Sequence, residues 1–216
     1  FVNDMERARP FKKAYSPAVK RMFASLAPAL SFPMRLLFGN LWLFGPLVKL
    51  LLPSASAYGE AMLATTFCFT MCEGSPAPNV IPAEASMLCN LRCIAHQDMD
   101  ETVALFKKKA QKHDLGVEVI TGRGSSMLAD LDGKAFRYLS ACVRACVPGA
   151  TVTPYMMMGG TDCREYEGLS SGCLRFSPIR ASSAQINSAH SVDENVDVAS
   201  LIEAHKFYRY LIENYE

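Results

Sequence analysis

Apolar and polar positions change their rhythm several times along this chain, and each change marks an element. Residues 1–30 carry helical, basic patterning interrupted by Pro10, Pro17 and Pro28. Residues 31–58 are apolar and punctuated by prolines, which predicts short helices. Within them the run LLFGNLWLFGPLVKLLL contains Asn40, Pro46 and Lys49. It falls short of the roughly 20 apolar residues of a membrane span. A buried or dimer-facing helix pair is expected there, broken at Gly45-Pro46.

Residues 64–71 are rich in aromatic and β-branched side chains and read as a strand, closed by Gly74-Ser75-Pro76-Ala77-Pro78. A second strand is expected over 85–94 and a third over 117–121. Between them lies a helix over 98–113, with Asp100 as its cap, Val103, Leu105 and Phe106 turned inward, and Gly116 as its stop. Strand, strand, helix, strand describes a small α+β module.

After Gly122 the pattern changes. A helix is expected over 133–147, with Phe136, Leu139, Val143 and Val147 on one stripe. Strands are expected over 150–158 and 173–178. A last helix is expected over 198–215, turning Leu201, Ile202, His205, Tyr208, Leu211 and Ile212 to one face. Helix, strand, strand, helix fits the tail of an α/β domain whose sheet is completed elsewhere. The fold class expected from the pattern is therefore α/β, an α+β module followed by the end of an α/β domain.

Composition adds limits. The 216 residues suffice for one large domain or two small ones. Half are hydrophobic and 20% are charged, a globular balance, and a net charge of +1 offers no nucleic-acid surface. Residue 1 opens no signal-peptide pattern. The chain starts Phe1-Val2 without a methionine, so it is expected to be a piece of something longer. Its eight cysteines include the pairs 68/72, 89/93 and 142/146, four apart rather than at zinc-knuckle spacing. Cys89 and Cys93 fall on one face of a predicted strand, and Cys142 and Cys146 on one face of a predicted helix. They read as small buried hydrophobes of a reducing compartment, and a cytoplasmic location is expected.

Four short patterns remain: Asn79-Val80-Ile81-Pro82, Asn90-Leu91-Arg92, Gly159-Gly160-Thr161-Asp162-Cys163-Arg164, and His190-Ser191-Val192-Asp193-Glu194. Singly, each is more simply a turn, a surface group or a helix cap. In this order and spacing they resemble the second half of M20 metallopeptidases and aminoacylases, in particular the carboxypeptidase S-like subgroup. The resemblance runs from about residue 31 to 216 and is strongest from Thr65.

That resemblance implies a lid and dimerisation domain over 1–122 and the returning chain of a zinc-dependent catalytic domain over 123–216. It implies a hydrolase of amide or peptide bonds beside a free carboxylate, with two zinc ions in the full-length enzyme and homodimerisation through the lid. By the family motifs, His190 would bind zinc and Glu194 would support its loop. Asn79 and Arg92 would bind the substrate carboxylate or scissile carbonyl, and Gly160, Thr161 and Arg164 would line the pocket. The substrate would be a peptide or an N-acyl amino acid, with no nucleic acid and no membrane span involved. The family's remaining metal ligands and its glutamate general base precede the lid, so no catalytic residue is expected here, and the chain alone is expected to be inactive. Departures exist: the family's Gly-x-Asn within the histidine motif is Ser191-Val192-Asp193 here. A non-catalytic dimerisation module from a degenerate homologue is the competing expectation.

Overall fold

A computed structural model describes residues 1–55, 58–157 and 159–215. The chain forms two compact units, Phe1–Leu128 and Ala129–Glu216.

The first unit contains α1 (Val2–Ala8), α2 (Pro17–Leu26), α3 (Phe32–Gly39), α4 (Leu41–Ala55), β1 (Thr66–Glu73), β2 (Ser86–Arg92) and α5 (Met99–Gln111). Helix α2 starts where sequence allows it: Pro17 occupies the first turn and the Ser16 hydroxyl accepts the Val19 N–H at 3.2 Å. It buries Val19, Met22 and Phe23, and Phe23 stacks on Phe38 of α3 at 4.6 Å.

The helix pair breaks at Asn40, not at the expected Gly45-Pro46. The Asn40 side chain donates to the Leu36 carbonyl at 2.9 Å and closes α3. Its backbone carbonyl then accepts from Leu43 and Phe44 and opens α4. Pro46 sits inside α4. Beside it, the Gly45 carbonyl accepts the Tyr15 hydroxyl at 2.7 Å, which anchors this turn from outside the helix. Burial raises the Tyr15 pKa. Among the described residues no single helix is long and apolar enough to cross a membrane; α3 and α4 together have the composition, but they bend by 108°.

The turn after α4 depends on Gly59. A Cβ there would stand 2.0 Å from the Leu52 carbonyl oxygen. That contact is with backbone, so Gly59→Ala must displace the turn. We expect a loss of about 1–3 kcal/mol, read as a lower urea midpoint with unchanged slope.

Strands β1 and β2 form an antiparallel hairpin, from Thr66 opposite Arg92 to Glu73 opposite Ser86, with a bulge between Phe69 and Met71. Their inner face meets α1 and α5 in a core of Met5, Phe11, Ala64, Phe67 and Phe106. Phe1 joins it edge-on against Phe106 at 5.4 Å and Phe69 at 5.8 Å. Helix α5 is capped by Asp98, whose carboxylate accepts from Asp100 and Glu101; the expected cap, Asp100, lies inside the first turn. Asp98 has the extended backbone a cap requires.

The expected third strand, 117–121, is not a strand. Val119 and Ile120 are exposed and no neighbour completes a ladder with them, so the described sheet has two strands. The strand expected over 85–94 ends at Arg92, so Cys93 falls outside it.

The second unit contains α6 (Lys134–Cys146), a 3₁₀ turn at Asp162–Tyr166, α7 (Ser183–Asn187) and α8 (Val198–Glu213). The strands expected over 150–158 and 173–178 are absent among the described residues, and Met158 lies outside them. Apolar runs alone do not make strands; each needs a hydrogen-bonded partner. Helix α8 buries Ser200, Ala204 and Phe207. The residues expected on one face, including Leu201, Ile202, His205 and Tyr208, are exposed. Two contacts choose the face. The Ser200 hydroxyl bonds both the N–H and the carbonyl of Arg180, at 2.6 and 2.9 Å, and the Phe207 ring lies 5.2 Å from Phe176. The Tyr138 hydroxyl of α6 donates to the Leu211 carbonyl, which ties α6 to the same helix. The whole is a mixed α/β structure of helices with one small antiparallel sheet.

Candidate functional site

The histidine loop of the second unit is shaped by a set of local hydrogen bonds. It begins with α7, where Ser182 and Gln185 form a capping box: the Ser182 hydroxyl accepts the Gln185 N–H, and the Gln185 side chain accepts the Ser182 N–H. The Gln185 amide then donates to Asn195 Oδ1 at 3.1 Å, and Asn195 donates to the Asp193 carbonyl at 2.7 Å. His190 and Asp193 both adopt left-handed backbone, with φ of 63° and 64°. For side-chain-bearing residues this conformation costs about 1–3 kcal/mol and persists only where neighbours impose it. Here the Glu194 carboxylate accepts the His190 backbone N–H at 3.0 Å. The chain reverses around His190 and leaves its imidazole exposed. An open groove of about 490 Å³ runs alongside, lined by Ser182, Gln185, Ser188, Asp193, Asn195 and Asp197.

The glycine segment lies earlier in the same unit. Gly159 and Gly160 are exposed and lead into the 3₁₀ turn, which opens with the Arg164 N–H donating to the Thr161 carbonyl at 3.1 Å. The Thr161 hydroxyl is buried and has no hydrogen-bond partner among the described residues. Just beyond, Glu167 and Arg175 form a half-buried ion pair at 2.6 Å that holds the turn against the following segment.

In the first unit, Asn79 is exposed in the loop that joins β1 to β2. Arg92 is exposed at the far end of β2, opposite Thr66. Strand geometry puts Arg92 about 20 Å along from Ser86, where that loop rejoins the hairpin. The two predicted substrate-binding residues of this unit thus occupy opposite ends of the hairpin. Within the second unit, His190 and Glu194 are brought together, and Gly160, Thr161 and Arg164 form one continuous segment.

Among the described residues no three His, Cys, Asp or Glu side chains gather as a metal cluster. Zinc takes four donors at a structural site and three protein donors at a catalytic one. His190 offers a single imidazole, so these residues fit as one corner of a zinc site and not as a whole one. The eight cysteines carry free thiols. Burial pushes the Cys89 thiol up to about 11 and raises Cys93, Cys146 and Cys173.

Sequence reading missed the groove beside α7 and the polar lock that shapes it. The signal was present: Ser182-x-x-Gln185 is a helix-start pattern.

The first unit packs a two-stranded hairpin against helices; in the second, a carboxylate holds the backbone of an exposed histidine. Residues 13–118 match the peptidase dimerisation domain of M20 type, within the first unit. Over most of its length the chain is similar to proteins of the M20 peptidase family. It is 26% identical to the probable carboxypeptidase S-like 2 of Dictyostelium discoideum, over 86% of this chain and 36% of that protein. It is 27% identical to the N-fatty-acyl-amino acid synthase/hydrolase of Mus musculus, over 91% of this chain and 39% of that protein. With the succinyl-diaminopimelate desuccinylase of Xanthomonas oryzae it shares 30% identity, over 65% of this chain and 35% of that protein. The chain therefore spans less than two-fifths of the length of these relatives. No solved structure matches it.

Proposed function

We propose that this chain is part of a zinc-dependent M20 hydrolase that cleaves an amide or peptide bond beside a free carboxylate. One observation carries the reading: the loop at His190 holds a strained backbone through Glu194 and presents an imidazole to solvent, within a family whose named members are carboxypeptidases and N-acyl hydrolases. The unused hydroxyl of Thr161, next to Gly160 and Arg164, supports a ligand-facing role for the glycine segment.

In the whole protein, His190 would hold one of two zinc ions; bound zinc supplies Lewis-acid chemistry at the carbonyl. The chain's own residues orient and bind. Glu194 fixes the direction of the histidine loop. In the second unit Arg164 offers a planar donor fork for a carboxylate; in the first, Arg92 offers the same at one end of the hairpin and Asn79 an amide for a carbonyl at the other, so these two would serve separate contacts. Residues 1–122 serve as the lid and pair with a second copy as a homodimer; the outer edges of the two-stranded hairpin suit that pairing. Residues 123–216 return to the catalytic domain. Eight free thiols favour a reducing, cytoplasmic setting.

The test is an assay of the full-length protein on N-acyl amino acids and dipeptides, with the same compounds amidated at the carboxylate. Amidation is expected to lower kcat/KM at least about 100-fold, because a site built to bind a charged group is left unpaired. Equal turnover of both forms would remove the carboxylate from the reading. This chain expressed alone is expected to hold less than stoichiometric zinc after dialysis and to turn over none of these compounds; stoichiometric metal would contradict the assignment of the other ligands to the rest of the protein.

A further inference from the structure

Helix α4 is apolar on two faces; its one charged residue, Lys49, lies over the Tyr15 ring at 5.0 Å. Its inner side buries Gly45, Val48 and Leu52. Its outer side carries Trp42, Leu43, Pro46, Leu47, Leu50 and Leu51, spaced as one continuous helical stripe. These are not shielded: Trp42 is 83% exposed and Leu50 72%. On α3, Phe32 adds a ring that is 74% exposed. A helix with two apolar faces belongs in a core or against lipid, and here one face is open.

Charge selects the occupant. Residues 7–59 hold 8 of the chain's 22 lysines and arginines and none of its 21 acidic residues. Arg35 is exposed on α3, and Lys20 and Arg21 are exposed on α2, which packs against α3. A symmetric pairing sets a patch against its own copy, so basic residues would meet basic residues with no acid from this segment between them. An anionic lipid surface meets both features, accepting tryptophan and leucine at the headgroup boundary while its phosphates face the arginines and lysines.

We propose that the α3–α4 hairpin docks this protein on an anionic membrane surface, lying in the interface without spanning it. The 108° bend at Asn40 suits that arrangement, since it keeps the two short helices from forming one rod.

Trp42 is the chain's one tryptophan, so its fluorescence reports on the patch directly. The full chain is mixed with vesicles of equimolar phosphatidylcholine and phosphatidylserine, and separately with phosphatidylcholine alone. With the anionic vesicles, Trp42 emission is expected to shift to the blue and the protein to co-sediment. Leu47→Glu with Leu50→Glu is expected to lower binding at least about tenfold, and Arg35→Glu at least about fivefold. Leu47, Leu50 and Arg35 are exposed, and unchanged circular dichroism would show that the variants fold. Three results would each overturn the proposal: no shift with either vesicle, equal binding to the neutral one, or a blue shift that grows with protein concentration without lipid. The last would put a second copy on the hairpin.

Discussion

His190→Ala in the full-length protein is expected to lower kcat/KM on an N-acyl amino acid by about a thousandfold or more. The reason is chemical: a catalytic metal site built from three protein donors loses its geometry when one is deleted. Glu194→Gln is a finer probe. The glutamine keeps an oxygen that accepts the His190 N–H, now held at 3.0 Å by the carboxylate, but loses the charge that strengthens that bond. Changes of this kind behind a ligand typically cost about 10–100-fold. The order His190→Ala, then Glu194→Ala, then Glu194→Gln, from most to least damaging, is therefore expected. If Glu194→Ala were silent while His190→Ala was not, the loop's strained backbone would be held by something other than this carboxylate.

Phe106→Ala is expected to be the most damaging core substitution in the first unit. Phe106 is 6% exposed and touches the rings of Phe1 and Phe69, so it links α5, the hairpin and the start of the chain. Truncating a buried phenylalanine removes its transfer energy and leaves a cavity, together about 3–5 kcal/mol. Domains are stabilised by only about 5–15 kcal/mol, so the variant should unfold at a much lower urea concentration or not fold at all. Lys107→Ala, one residue on and exposed, is expected to change stability by less than about 0.5 kcal/mol. A similar loss from both would mean that α5 does not pack as described.

Local signals in the sequence carried far. The aromatic run before Gly74 became β1, and the periodic segments became α5, α6 and α8 within a few residues of their expected ends. The misreadings share one physical cause: they depend on partners distant in sequence. Residues 117–121 have strand composition but no ladder neighbour among the described residues, and 173–178 likewise. Helix α8 offers two faces, and the buried one carries Ser200, a polar residue that bonds the Arg180 backbone. The break at Asn40 rests on a side chain satisfying a carbonyl, and Pro46 lies inside α4 next to a glycine carbonyl that a distant tyrosine bonds. Of the candidate site, the residue types and motif order were legible. The left-handed backbone at His190 and the buried, unpaired hydroxyl of Thr161 were not, because both arise from tertiary constraint.

Metal analysis of the purified full-length protein, beside its His190→Ala variant, reaches the central claim most directly. The claim that residue 190 completes a two-zinc hydrolase site predicts two equivalents of zinc per chain in the natural protein and a clear loss in the variant. Zinc content that is unchanged by the substitution would contradict it.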